Sequence, residues 1–197
     1  MSRVLYLSYP WSVRPSCCYR PGWPCMYCTE RYADPNMIVG DKAKFAIEFE
    51  FSDDLVERKR KMGFGKLWIE NQYYGTKEDL IFLEGYLLRL VEELLQAPAL
   101  SFAYFPRAKP ELYERLTRER EANAHYKLSD STFTDDFDGY KFARDGRIFM
   151  VWRLINRTFF KELQRYPTDI QVCSALESDI NEVYLEAKRE IDRPTIG

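Results

Sequence analysis

The sequence predicts an α+β fold, a mostly antiparallel sheet with helices packed on it. Three patterns support this. Phe45, Ile47, Phe49 and Phe51 alternate with Lys44, Ala46, Glu48 and Glu50, the period of a half-buried strand. Asp145-Gly146 is a hairpin signal between two apolar runs. Two further stretches, near 80–94 and 180–191, repeat apolar residues at the three- and four-residue steps of helices.

A prefix, 1–36, precedes these patterns. It is rich in Pro, Cys, Trp, Tyr and Arg, and its prolines at 10, 15, 21 and 24 oppose helix and strand pairing alike, so an irregular N-terminal extension is expected. The folded domain is expected to span 37–197 and to open on MIVGDKAKFAIEFEF, beginning at an internal methionine. That start raises the expectation that Met37 is the natural first residue and that the upstream codons are read through. With 197 residues in all, one domain and an extension fit, and two full domains do not.

Taken in order, the strand at 44–51 is followed by a charged connection, SDDLVERKRKMGFG, and a second strand candidate at 66–75, KLWIENQYYG; the two read as an antiparallel pair. Thr76 and Asp79 resemble a capping box ahead of the stripe Leu80, Leu83, Leu87, Leu90, Val91 and Leu94, which ends before Pro98. Gly85 inside that helix suggests close packing against the sheet. Pro110 can start a second helix running to about 123, mostly charged, with Leu112, Tyr113 and Leu116 as a narrow apolar contact.

An acidic loop, KLSDSTFTDDFDG, then leads into the 140–154 hairpin. In its second arm Ile148, Met150, Trp152 and Leu154 share one face while Phe149 and Val151 occupy the other, which predicts a central strand covered on both sides. A last strand, IQVCS, precedes a helix whose face is Ile180, Val183, Tyr184, Ala187 and Ile191, with Ser174 and Glu177 in the S-x-x-E capping pattern. Phe45, Phe49, Trp68, Phe149 and Trp152 read as core; Tyr73, Tyr74, Tyr140 and Trp11 are less clearly inward, and exposed tyrosines suit a protein interface.

Composition narrows the function. The net charge is −2, and because the prefix is basic the body carries −4, which argues against direct binding to nucleic acid and fits a basic protein partner. The sequence has no apolar run of membrane-spanning length and no secretory leader pattern, so a cytoplasmic location is expected. The single histidine, His125, lies in a charged stretch, and neither a nucleophile elbow nor a phosphate-binding glycine loop is present, so no enzyme is expected.

Two chemical clusters stand out. Cys25 and Cys28 have zinc-ligand spacing, and Cys17 with Cys18 could complete four thiolates, although adjacent cysteines diverge and a cofactor-free protein is the favoured expectation. The carboxylates Asp130, Asp135, Asp136 and Asp138 read as a solvated loop or as an acidic surface that meets a basic partner.

MIVGDKAKFAIEFEF, GKLWIENQYYG, EDLIFLEGYLLRLVEELL and FDGYKFARDGRIFMVWRL, followed by Tyr166-Pro167, together resemble the immunity protein 42 family of bacterial polymorphic-toxin systems over about residues 37–175. The resemblance implies a small cytoplasmic α+β protein that binds a cognate toxin domain and occludes its active site without catalytic residues of its own. Its contact surface is then expected on the 111–121 helix face and the acidic loop: Glu114, Glu119, Glu121, Asp130, Asp135, Asp136 and Asp138. The alternative is a zinc-dependent or regulatory binding module built on the cysteines. If the prefix lies outside the fold, a chain starting at Met37 is expected to match the full chain in thermal unfolding temperature and in protection against the toxin.

Overall fold

A computed structural model describes residues 36–52, 61–101, 108–118, 121–156 and 160–193. The opening block forms two strands. β1 (Met37–Asp41) turns back on β2 (Phe45–Phe51), with Lys44 N–H donating to the Asp41 carbonyl at 2.9 Å and Ala43 N–H to the Asp41 side chain at 2.9 Å. Gly40 has a φ of 97°, a conformation that disfavours any residue with a Cβ.

β2 pairs antiparallel with β3 (Met62–Ile69), as the alternation implies. The 66–75 segment, however, is a hairpin and not one strand: Glu70 and Asn71 take φ of 50° and 62°, and β4 (Gln72–Tyr74) returns along β3. Neither residue is glycine, so the turn carries only a weak sequence signal. β5 (Ile81–Phe82) pairs with the start of β3, completing a sheet of order β1-β2-β3-β4.

The expected helix begins later than its stripe. The chain stays extended through Phe82, then runs π-helically over Leu83–Leu88 into α1 (Arg89–Leu95). Leu83, Leu87, Leu90, Val91 and Leu94 are buried as the period requires, but Leu80 is exposed. Thr76 caps no helix; its hydroxyl accepts from Glu78 N–H at 3.1 Å in a local turn. Gly85 packs closely against the sheet, as expected: a Cβ there would sit 2.4 Å from the ring of Phe82 in β5.

α2 (Lys109–Arg118) buries Leu112, Tyr113 and Leu116, the three residues expected. The second sheet has the order β6-β7-β8, from β6 (Phe137–Arg144), β7 (Arg147–Leu154) and β8 (Gln171–Leu176), with Asp145 and Gly146 at positive φ in the hairpin turn. β7 is central, as its two apolar faces predict: Ile148, Met150, Trp152 and Leu154 enter the main core, while Val151 enters a second core with Phe142, Tyr140, Tyr126 and the α2 residues.

α3 (Glu177–Asp192) follows β8 directly and buries Ile180, Val183, Ala187 and Ile191. Its predicted capping box does not form, because Ser174 lies inside β8, where its hydroxyl accepts from Arg147 at 3.0 Å.

The segment between β7 and β8 locks the sheets together. Trp152 Nε1–H donates to the Tyr166 hydroxyl at 2.7 Å, and that hydroxyl donates to the Tyr73 carbonyl. Tyr166 also meets Tyr73 edge-on at 4.7 Å and Phe137 at 5.2 Å between ring centroids. Beside it Glu162 pairs with Lys66 and accepts from Lys77 N–H at 3.1 Å. A buried group left without its partner costs more than the bond itself contributes. Tyr166→Phe strips Trp152 and Tyr73 of their shared partner, and a loss of about 1–3 kcal/mol is expected by chemical denaturation, with the fold retained.

Candidate functional site

A cleft of about 490 Å³ opens where the start of β6, the end of β7 and the loop after α2 meet. Asn123, Ala124, Lys127, Asp130, Asp138, Tyr140, Arg153 and Ile155 line it. The fold sets each of them. Tyr113, buried on α2, brings its hydroxyl across to Asp138 on β6, where it donates to the carboxylate. Lys127 is fixed by backbone pairing with Tyr140 and by Lys141, whose ammonium donates to the Lys127 carbonyl at 2.9 Å while also pairing with Glu93 of α1. Asn123 donates to the Arg115 carbonyl at 2.8 Å, tying the loop to α2.

Asp138 is the most committed group in the cleft. Its second oxygen accepts from Lys127 at 2.6 Å, and Lys127 reaches Asp130 at 3.6 Å. Burial alone would raise the Asp138 pKa, but the hydrogen bonds from Lys127 and Tyr113 and the charges of Lys127 and Arg153 hold it below the usual aspartate range. Burial and this same carboxylate push the Tyr113 hydroxyl up, so it remains a donor at neutral pH.

The acidic loop is therefore not uniformly solvated. Asp130 and Asp135 are exposed, but Asp136 is only 7% exposed, and burial together with the Asp135 charge raises its pKa. Phe133 and Thr134 are buried as well, and the Phe133 carbonyl accepts from Thr76 N–H at 3.0 Å, so the loop is part of the packing. Glu114 is exposed on α2 within reach of Arg118, and Glu121 is exposed beyond the helix. Glu119 and the cysteines Cys17, Cys18, Cys25 and Cys28 lie outside the described residues.

Two tyrosines suggested for an interface are core: Tyr74 and Tyr140 are buried, while Tyr73 is half-buried. Trp68, expected inside, stands half-buried on the opposite face of the first sheet. There it donates to Glu48 at 2.6 Å under the Lys42 ammonium. Lys127, Arg153 and Ile155 are the residues that sequence reading passed over. Only the alternation of β7, which puts Arg153 on the α2 side, hinted at one of them.

Residues 37–190 match the family described as Immunity protein 42. The chain belongs to the immunity protein 42 family. The matched stretch starts at the first residue of β1 and includes every residue of the cleft. The crystal structure of CdiI from Burkholderia dolosa AUO158 is similar in fold, with a TM-score of 0.53 at 11% identity, covering 78% of this chain and 99% of that one. No curated protein matches in sequence. Among the described residues of this immunity protein 42 member, no helix is long and apolar enough to cross a membrane.

Chemically, the cleft offers fixed charges of both signs on a rigid wall, an arrangement suited to recognising a shaped surface. The Asp138 bonds also stabilise the fold. Because its folded pKa is depressed, that stabilisation is present above the unfolded aspartate value and disappears as pH falls through the folded one. Asp138→Asn is expected to lower stability by about 1–3 kcal/mol at pH 7. In urea titrations across pH, the gap between the two proteins should close below about pH 4.

Proposed function

We propose that this protein protects the bacterium that makes it by binding a cognate toxin domain in the cytoplasm and occluding the toxin's active site. The observation that carries this reading is the family match over 37–190, which spans both sheets, most of α3 and the cleft. The fold similarity to CdiI supports it. Neutralisation by occlusion asks for a rigid recognition surface and for no catalytic group in the binder.

The contact face centres on the cleft. Asp130 lines it, Glu114, Glu121 and Asp135 are exposed, and the charge of these carboxylates would steer a basic toxin surface into place. Asp136 and Asp138 act differently, as internal groups that shape the loop and hold Lys127. Co-expression with the toxin gene adjacent to this one tests the reading. Restored growth and a complex that co-purifies are expected, and killing that continues unchanged would overturn it.

A further inference from the structure

The charges in the cleft are not equally available. Asp138 and Arg153 face each other across the β6–β7 ladder, a placement that ordinarily pairs opposite charges. Here the pair is not made. Asp138 is taken by Lys127 and Tyr113, and Arg153 instead lays its guanidinium over the Tyr113 ring, 4.9 Å from the centroid. Among the described residues no carboxylate lies within ion-pair distance of Arg153, which is exposed at the cleft wall. The guanidinium is thus positioned over a ring and, among the described residues, has no carboxylate partner.

Resting on the toxin-binding reading above, we infer that Arg153 is the anchor of this interface and receives a carboxylate side chain, an Asp or Glu, of the toxin. Several features fit. A planar fork of N–H donors matches a carboxylate two bonds at a time, and the contact with the Tyr113 ring restrains the guanidinium so that less freedom is lost on binding. Ile155, 49% exposed at the cleft, and Tyr140 supply apolar wall for the methylenes of the entering side chain. Lys127 is engaged by Asp138 and Asp130, so among the described residues Arg153 is the cleft cation with no carboxylate within ion-pair distance. A toxin that places one carboxylate against Arg153 is then selected over one that presents only cations there.

The probe is the inactive toxin domain from the adjacent gene, titrated calorimetrically with the full chain carrying Arg153→Lys or Arg153→Glu, each checked by thermal unfolding. Arg153→Glu is expected to weaken binding about 100-fold or more, and Arg153→Lys about tenfold, because an ammonium cannot bond both carboxylate oxygens in one plane. One toxin Asp→Arg or Glu→Arg change should recover binding to Arg153→Glu. Binding of Arg153→Glu within threefold of the parent, or a loss that no toxin carboxylate reversal repairs, would overturn the anchor while leaving toxin binding intact. If the parent chain itself fails to bind, the toxin-binding reading falls with it.

Discussion

The hydrogen-bond relay from Trp152 through the Tyr166 hydroxyl to the Tyr73 carbonyl is the constraint on which the rest of the architecture depends. It joins β7 of one sheet to β4 of the other through a segment that belongs to neither. Burying an indole N–H and a phenol is tolerable only when each is bonded, so the relay admits one relative placement of the two sheets. Glu162, on the same segment, repeats the tie through Lys66, Thr76 and Lys77. With the sheets held this way, the far face of β6 and β7 is left for α2 to cover. The cleft forms where that cover ends.

Charge burial follows the same logic. Glu48 is only 5% exposed, and although burial would raise its pKa, hydrogen bonds from Lys42, Asn36 and Trp68 with the charge of Lys66 bring it down to about 2. Lys141 is likewise buried and paired with Glu93. Asp138 is held by Lys127 and Tyr113. These groups spend their charge inward and define local structure. What the cleft presents outward is the remainder, with Arg153 exposed on its wall.

Some of this was legible in the residues. The two faces of β7, the Asp145-Gly146 turn and the α2 stripe all came from side-chain periodicity or from a turn whose positive φ selects its residues. The failures share a cause. Glu70-Asn71 makes a two-residue turn without glycine, so a hairpin looked like one strand. Thr76-x-x-Asp79 and Ser174-x-x-Glu177 satisfy the capping pattern, yet their hydroxyls are used by a local turn and by Arg147. The acidic loop looked solvated because its composition is polar, while Phe133, Thr134 and Asp136 pack inward. At the site, the carboxylates announced themselves by clustering. Arg153 did not, because nothing along the chain shows that its cross-strand neighbour Asp138 is taken by Lys127 and Tyr113.

What the sequence determined by itself is the α+β class, the apolar faces of its main elements and, through ordered motifs, the family. These depend on residues near one another along the chain, whose spacing dictates which side of an element is apolar. Only the tertiary structure decided which charges remain free. Asp138, Lys127, Tyr113 and Arg153 come from a strand, a loop, a helix and a neighbouring strand, and their competition for partners is settled by distances across the packed core. Composition counts those charges; packing alone pairs them.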